Sequence, residues 1–329
     1  MTTTLPKEEW VISHLIRRFA HERGERAFIQ FEDGEPYTFA GVDRMTDRFA
    51  NAFMDIGIGF GDNVAMMLHN RLEFLWTWFG LNRLGAVPVA INTAYKGAFL
   101  THVLSNVESR VAIVEPEFLP WLAEIEATVP ALQDVYVTAD LAALSLPEFK
   151  RIKVHAFEQL AHGSDTPVYT DVSYRDIGMI MFTSGTTGPS KGVLMPHAHL
   201  FLFGLSMQSH MQLNEQDRYY ICMPLFHAQG SLMQFYGSLI GGCSVVLVKQ
   251  FRATTWIDDI RKFGATVTNT LGVMSDFVLR QPARETDRDN KLRILCAVPV
   301  VEETVQAFRD RFGVAKFNEL FGMTECNIP

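Results

Sequence analysis

Short apolar runs alternate with helical patterns along most of this 329-residue chain. The candidate strands lie at residues 64–68, 86–91, 111–114, 135–137, 219–223, 244–248, 266–270, 295–298 and 316–320. One helical pattern, residues 73–84, is apolar nearly all round and stops before Gly85, which is typical of a buried helix. Strands that alternate with helices pair in parallel sheets covered on both faces. The sequence therefore predicts an α/β fold with largely parallel sheets flanked by helices.

The N-terminal region and one long connection add further elements to this prediction. Residues 10–19 have helical spacing, and residues 27–38 indicate a hairpin around Asp33-Gly34. Residues 139–172 are less periodic and predict a surface connection. We expect two α/β lobes, with approximate bounds 1–175 and 176–329.

Composition and charge exclude several classes of partner. The net charge is −8, from 37 acidic and 29 basic residues without a basic block, which argues against nucleic acid or an anionic membrane. No uncharged apolar run is long enough to span a bilayer, and the N-terminus carries no export segment.

The cysteines, Cys222, Cys243, Cys296 and Cys326, form no Cys-x-x-Cys pair. Free thiols in a reducing, cytoplasmic compartment are the expected state.

A glycine-rich and hydroxyl-rich stretch follows a buried strand predicted at residues 177–182. Residues 182–193 are Phe-Thr-Ser-Gly-Thr-Thr-Gly-Pro-Ser-Lys-Gly-Val. Glycines let polyphosphate oxygens approach backbone N–H groups, and Lys191 adds a positive charge, so the stretch predicts a triphosphate site. It is not the phosphate loop of kinases and GTPases, because Ser190 rather than glycine precedes Lys191. A surface loop without function is the alternative.

Three segments carry a family resemblance. Residues 183–192 resemble the phosphate-binding signature of the adenylate-forming superfamily, which includes acyl-CoA synthetases, luciferases and peptide-synthetase adenylation domains. Residues 223–227, Met-Pro-Leu-Phe-His, resemble the segment that lines the acyl site. Residues 320–325, Leu-Phe-Gly-Met-Thr-Glu, resemble the Tyr-Gly-x-Thr-Glu segment for adenine and magnesium. Within the superfamily, the chain looks most similar to the crotonobetaine/carnitine–CoA ligase group.

The resemblance implies an AMP-forming acid–thiol ligase of fatty acid metabolism. A carboxylate would attack the α-phosphate of ATP to give an acyl-adenylate and pyrophosphate, and the thiol of CoA would then form the thioester. ATP, Mg²⁺ and a small-molecule carboxylic acid are the implied ligands, with CoA as cosubstrate. The sequence leaves a homodimer open.

The resemblance also implies site residues. The nucleotide would contact Thr183, Ser184, Gly185, Thr186, Thr187, Gly188, Lys191, Ala297, Val298, Leu320, Phe321, Gly322, Met323 and Thr324. The metal would be held by Glu325 with Thr183 and Ser184, and His227, Lys191, Thr324 and Glu325 would be catalytic. We expect the acyl pocket to draw on His227, Gln229, Gly230, Ser231, Gln234, Thr270, Leu271, Gly272 and Val273. This mix of polar and apolar groups favours a small or medium, partly polar acid.

Two positions differ from the family pattern, and two of the assigned site residues also have a simpler structural interpretation. Phe321 stands where the family usually has tyrosine, and residues 296–300, Cys-Ala-Val-Pro-Val, replace the common Gly-Gly-Ala-Pro. Stacking on adenine needs only the ring, so Phe321 remains compatible with the role. His227 alone would be a structural histidine, and Glu325 alone would be a solvated loop carboxylate.

The family's later ribose-binding aspartate, hinge and C-terminal lysine have no counterpart before Pro329. We therefore expect the N-terminal domain of a longer enzyme, without its small C-terminal domain, which adenylates poorly and does not complete the thioester. The alternatives are a peptide-synthetase-type adenylation domain and a non-catalytic sensor of nucleotide or acyl-AMP.

Overall fold

The computed structural model describes residues 5–183 and 190–326. The strands are β1 (Ala27–Phe31), β2 (Tyr37–Thr38), β3 (Asn63–Met67), β4 (Val87–Ala90), β5 (Val111–Val114), β6 (Asp134–Val137), β7 (Lys153–Ala156), β8 (Ile177–Thr183), β9 (Lys191–Pro196), β10 (Arg218–Ile221), β11 (Ser244–Leu247), β12 (Val267–Leu271), β13 (Ile294–Val298) and β14 (Lys316–Asn318). The helices are α1 (Ile12–Arg23), α2 (Phe39–Asp55), α3 (Leu72–Leu84), α4 (Ala98–Val107), α5 (Leu119–Ile125), α6 (His197–Met211), α7 (Gly237–Gly241), α8 (Trp256–Phe263), α9 (Gly272–Leu279) and α10 (Glu302–Phe312). A π-helical segment, Gln229–Tyr236, precedes α7.

The chain forms two compact units, each built from discontinuous segments. The C-terminal unit comprises Glu25–Phe39 and the described residues from Leu202 onward. The N-terminal unit comprises the described residues up to Gly24 and those from Ala40 to Phe201. The expected lobes met between residues 175 and 176, whereas the contacts divide the chain at 24/25, 39/40 and 201/202. The difference arises because β1 pairs with β11 and β8 pairs with β4, far along the chain in each case.

Each unit contains one seven-stranded sheet, and the two sheets share a strand order. In the C-terminal unit the order is β14-β13-β12-β10-β11-β1-β2, and in the N-terminal unit it is β7-β6-β5-β3-β4-β8-β9. All neighbours are parallel except the hairpins β1/β2 and β8/β9. The predicted α/β class with largely parallel sheets is confirmed. In each sheet the strand order reverses once, between β10 and β12 and between β3 and β5, which opens a crevice at the carboxyl ends of those strands.

Helix α3 shows how the sequence specifies these elements. Nearly all of its side chains are buried, and it ends at Gly85, whose φ of 73° is left-handed and favours glycine. Inside the helix, Trp78 Nε1 donates to Asn82 Oδ1 at 2.9 Å. Asn82 Nδ2 in turn donates to the carbonyl of Gly178 at 2.8 Å, which ties α3 to β8. The prediction of a buried helix that ends before Gly85 is confirmed.

The prediction of an irregular connection over residues 139–172 is wrong in part. Strand β7 lies inside it and pairs in parallel with β6 at the edge of the sheet. An edge strand pairs with only one neighbouring strand and exposes its other edge to solvent, so its apolar pattern is weak. Its approach is fixed instead by the carboxylate of Glu126, which accepts hydrogen bonds from the amides of residues 150–152 at 2.7–2.9 Å.

Apolar side chains packed between sheet and helices form the cores. In the C-terminal unit, Trp256 packs edge-on against Phe308 and Phe312, with ring centroids 5.9 and 5.6 Å apart. Three of the four cysteines are buried free thiols, as predicted. Within the described ranges, no helix combines the length and apolarity needed to cross a bilayer.

One buried histidine lacks the partners that such a residue usually has. His197 begins α6 in the N-terminal unit with none of its side chain exposed. Neither ring nitrogen has a hydrogen-bond partner in the described part of the chain. A Cβ added at Gly178 would lie 2.6 Å from Nδ1, so the ring is tightly enclosed. Burial, with a smaller effect from His14, lowers the pKa of His197 to about 3.

We expect His197 to weaken the fold under acid. An unfolded histidine binds a proton at about pH 6.5, whereas the folded ring stays neutral to about pH 3, so stability is lost as the pH falls through this window. His197→Phe should reduce the slope of unfolding free energy against pH by up to about 1.4 kcal/mol per pH unit below pH 6. Urea unfolding across this range tests it, with the exposed His162→Phe as control. Equal slopes in both variants would contradict the assignment.

Candidate functional site

A cavity of about 370 Å³ opens in the C-terminal unit at the carboxyl ends of β10, β12, β13 and β14. Its wall is formed by Phe203, Met223, His227, Ala228, Gln229, Met233, Leu271, Val298, Leu320, Phe321, Gly322, Met323 and Thr324. Most of these side chains are apolar, with a few polar groups among them. The cavity lies at the reversal of strand order between β10 and β12, where open α/β sheets bind ligands.

A tight turn delivers His227 to the cavity. The His227 amide donates to the carbonyl of Pro224 at 3.1 Å, and the π-helical segment starts two residues later. A Cβ at Gly230 would lie only 2.3 Å from that same carbonyl oxygen. Glycine is therefore required at position 230 for close packing of the turn on the π-helical segment.

The imidazole of His227 faces the cavity with its side chain exposed there. The Phe226 ring lies beside it, with centroids 4.7 Å apart. The protein around the ring removes part of its hydration, which lowers the pKa of His227 below its usual value. A neutral imidazole offers one hydrogen-bond donor and one acceptor. His227 can therefore donate to an anionic group without carrying a charge itself.

The segment after β14 lines the opposite part of the wall. Phe321 has 71% of its surface exposed, so one face of the ring is free for a planar ligand. Thr324 also lines the cavity, and Glu325 follows it with an exposed side chain. No described residue forms an ion pair with the Glu325 carboxylate. Val298 reaches the wall, whereas Ala297 is fully buried in β13.

Two of the polar residues expected in the acyl pocket have hydrogen-bond partners elsewhere. The hydroxyl of Ser231 donates to the carbonyl of His227 at 3.0 Å. The hydroxyls of Thr270 and Ser275 lie 2.8 Å apart. Both expected residues are buried and stay outside the cavity wall, which places them in support of the turn and of α9.

Of the other residues expected in the acyl pocket, some line the cavity and the others lie outside its wall. Gln229 and Leu271 line the cavity with His227. Gly272 begins α9, and a Cβ there would lie 2.8 Å from the carbonyl oxygen of Pro299. Val273 follows on the same helix with 54% of its surface exposed, outside the wall.

Met223 lines the wall and is the first residue of the segment 223–227 that the sequence linked to the acyl site. Three other wall residues were not expected from the sequence: Phe203, Ala228 and Met233. Ala228 directly follows His227, so proximity to that segment is a usable signal. Met233 lies on the π-helical segment, whose wider turn changes which side chains share a face. Phe203 comes from α6 and has no short-range signal that links it to the cavity.

The predicted phosphate site belongs to the N-terminal unit. Thr183 ends β8 and pairs in register with Lys191, the first residue of β9. Lys191 is exposed and has no carboxylate partner among the described residues. Ser184, Gly185, Thr186, Thr187 and Gly188 lie outside the described residues.

A second polar cluster occupies the reversal of strand order in the N-terminal sheet. His69 follows β3, Glu115 follows β5, and Glu117 lies beside them, with their candidate ligand atoms within 4.8 Å of one another. The Arg71 guanidinium lies 3.1 Å from Glu115 Oε2 and 2.7 Å from Glu73 Oε1. Arg71 already supplies the positive charge that these carboxylates require, so we assign the cluster as an ion-pair network.

Comparison with known proteins assigns the chain to a family. A family model described as AMP-binding enzyme matches residues 16–329. The chain belongs to the AMP-binding enzyme family. The resemblance drawn from the three sequence segments is thereby confirmed at the level of the family.

Two curated relatives and one solved structure illustrate the similarity of this AMP-binding family member. Long-chain fatty acid transport protein 6 of Mus musculus is 29% identical over 325 residues, covering 97% of this chain and 51% of the relative. Crotonobetaine/carnitine–CoA ligase of Salmonella typhimurium strain LT2 is 32% identical over 314 residues, covering 93% and 59%. The anthranilate CoA ligase AuaEII in complex with anthranoyl-AMP matches with a TM-score of 0.82 at 22% identity, covering 95% and 60%. The chain spans about half the length of the curated relatives it matches.

Gln234 differs from its neighbours on the π-helical segment of this AMP-binding family member. Its side chain is fully buried, and neither the amide nitrogen nor the amide oxygen has a hydrogen-bond partner among the described residues. Met233, the preceding residue, lines the cavity, but Gln234 does not. A buried amide without partners destabilises the fold by about 1–3 kcal/mol.

We expect Gln234→Met, a change of similar volume, to raise the free energy of unfolding by about 1 kcal/mol, because it removes an unsatisfied buried amide. Urea unfolding without ligand measures this change. Gln229→Met on the same segment is the control and should change stability by less than about 0.5 kcal/mol. A loss of stability in Gln234→Met would show that the amide is hydrogen-bonded, and would contradict the assignment.

Proposed function

We propose that the chain is the part of an ATP-dependent carboxylate–CoA ligase that binds the acid and ATP and forms the acyl-adenylate. The observation that carries this proposal is the shared cavity of His227 and residues 320–324. These segments resemble the acyl and adenine segments of acyl-CoA synthetases, and they lie far apart in the sequence. Their convergence on one cavity brings the two groups that must react within reach of one site.

The proposed first step is an in-line displacement at phosphorus. A carboxylate oxygen of the acid attacks the α-phosphorus of ATP, the bond to the β-phosphate oxygen breaks, and pyrophosphate leaves. Both reactants are anionic, so the protein must reduce their repulsion and hold them in line. A neutral His227 would donate one hydrogen bond to the carboxylate, and Thr324 would contact the α-phosphate. The ammonium of Lys191 would hold the β- and γ-phosphates.

Residues near the cavity also fit a magnesium ion. Mg²⁺ prefers carboxylate and water oxygens and usually takes one or two protein ligands. The exposed carboxylate of Glu325, without an ion pair among the described residues, has the required chemistry. The Thr183 hydroxyl and the Ser184 hydroxyl remain proposed ligands from the sequence. When bound, the ion would neutralise part of the charge on the phosphate oxygens.

The nucleotide and the acid would occupy different parts of the wall. We propose that adenine stacks on the exposed face of Phe321 and contacts the ends of β13 and β14 through Val298 and Leu320, whereas the buried Ala297 supports this wall from behind. The acyl group would lie against Leu271, Met233 and Gln229. A cavity of about 370 Å³ with mostly apolar walls suits a small or medium acid with one polar group better than a long chain.

The second step would use the thiol of CoA. Its sulfur attacks the acyl carbonyl, the thiol proton is lost, and AMP leaves as the carbonyl–phosphate bond breaks. Because the chain spans about half the length of its curated relatives, this step is proposed for a longer protein that contains these residues. The buried free thiols Cys222, Cys243 and Cys296 fit the proposed location in the reducing cytoplasm.

The test is carboxylate-dependent ATP–pyrophosphate exchange by a longer protein that contains these residues, measured across short, medium and aromatic acids. We expect exchange with one class of acid, and a loss of about 100-fold in both Lys191→Ala and Glu325→Ala, because each removes charge stabilisation from the displacement. Exposed residues outside the site provide matched controls, Lys291→Ala and Glu303→Ala, which should exchange like the unaltered chain.

Two outcomes would contradict the proposal. Tight ATP binding without exchange for any acid would favour the nucleotide sensor. Exchange that depends on an amino acid, without thioester formation when CoA is added, would favour a peptide-synthetase-type adenylation domain.

A further inference from the structure

The structure describes both ends of the glycine-rich segment that the sequence predicts to bind phosphate. On one side, Phe182 and Thr183 end β8, and on the other, Ser190 precedes Lys191 at the start of β9. The strands pair in register, Phe182 with Gly192 and Thr183 with Lys191. A segment of this kind can present its N–H groups to a ligand only if its two ends are held in place.

His102 of α4 contacts both ends of this segment. Its Nε2 lies 2.7 Å from the carbonyl oxygen of Ser190. Its ring packs edge-on against the Phe182 ring, with centroids 6.5 Å apart and an interplanar angle of 83°. Because a carbonyl oxygen can only accept, Nε2 must carry the proton. The same imidazole therefore hydrogen-bonds to one end of the segment and packs against the other end.

Asn106, one helical turn further along α4, fixes the tautomer of His102. Its amide nitrogen lies 2.6 Å from the carbonyl oxygen of His102, which can only accept, so the orientation of the amide is determined. The same nitrogen lies 3.2 Å from His102 Nδ1. Nδ1 is thus the acceptor, and the ring proton is held on Nε2, where it faces Ser190.

The bond to His102 acts on a residue with few other polar contacts. Ser190 has 6% of its surface exposed, and its hydroxyl has no hydrogen-bond partner among the described residues. The carbonyl that His102 holds belongs to the peptide unit that joins Ser190 to Lys191. Fixing that peptide unit fixes the direction in which Lys191 leaves the segment.

We propose that His102 is a positioning residue for the two described ends of the glycine-rich segment, Phe182 and Ser190, and that Asn106 acts through it by holding the imidazole in the donating tautomer. The contacts of His102 and Asn106 stand without reference to any ligand. The consequence for ATP rests on the proposed function, because the ligand of the segment is assigned there.

Hydrogen–deuterium exchange followed by mass spectrometry tests the proposal without any ligand. In His102→Leu, the amides of residues 182–183 and 190–192 should exchange about tenfold faster, as expected when one hydrogen bond is lost, while β3 and β5 of the same sheet stay unchanged. His102→Gln should restore most of the protection, because its amide N–H reaches the same carbonyl. Asn106→Ala should give a smaller acceleration. Thr101→Ala, on the same helix but with its hydroxyl 3.3 Å from that of Thr128, is the control and should behave like the unaltered chain.

A kinetic measurement adds the functional consequence. His102→Leu should raise the KM for ATP in pyrophosphate exchange by about tenfold and leave the KM for the acid unchanged. Unaltered protection of residues 182–183 and 190–192, or equal acceleration across the whole sheet, would overturn the positioning role and leave His102 as a packing residue. If the longer protein with unaltered sequence shows no pyrophosphate exchange, the proposed function fails, and the deuterium experiment still decides the role of His102.

Discussion

Parallel strand pairing with one reversal of strand order is the constraint on which the rest of this structure depends. In each sheet one strand, β10 or β3, has the next strand of the chain on one side, β11 or β4, and the strand after that on its other side, β12 or β5. The connections that follow two neighbouring strands, β10 and β12 or β3 and β5, therefore lie on opposite faces of the sheet. A crevice opens between these connections at the carboxyl ends of the two strands. In the C-terminal unit this crevice becomes the cavity that His227 and Thr324 share. In the N-terminal unit the ion-pair network of His69, Arg71 and Glu115 occupies it.

Several residues shape the cavity without lining it. Gly230 and Gly272 meet backbone carbonyl groups at distances that exclude a Cβ, so they permit the close packing that shapes the wall. Ser231 hydrogen-bonds to the carbonyl of His227 and thereby holds the turn that presents the imidazole. His102 has the corresponding relation to Ser190 in the N-terminal unit. Positioning by neighbours of this kind is what keeps reacting groups within the narrow range of geometry that catalysis requires.

Sequence reasoning succeeded where a local physical rule determines the outcome. The end of α3 at Gly85 and the presence of hairpin β1/β2 follow from glycine conformation and short-range pairing. Helix α4 is absent from the predictions, although Leu100, Val103, Leu104 and Val107 repeat at helical spacing and are buried. Strand β7 could not be predicted, because an edge strand fixed by the Glu126 carboxylate has little apolar signal of its own.

The composition of the candidate site was predictable only in part, for a related reason. The sequence places His227, Leu271 and the segment 320–324 at the ends of predicted parallel strands. These residues do line the cavity. Whether a hydroxyl such as that of Thr270 faces the cavity or bonds to Ser275 depends on tertiary packing, which spacing along the chain does not contain. The wall position of Phe203 depends likewise on how α6 packs.

The proposed chemistry requires that one cavity receives both halves of an acyl-adenylate. The most direct measurement is calorimetric binding of a non-hydrolysable acyl-adenylate, such as an acylsulfamoyl adenosine, compared with AMP alone and with the free acid alone. We predict that the joined molecule binds at least about 100-fold more tightly than either half, because one association event then recovers the contacts of both. Affinity for the joined molecule no greater than that for AMP would contradict the claim.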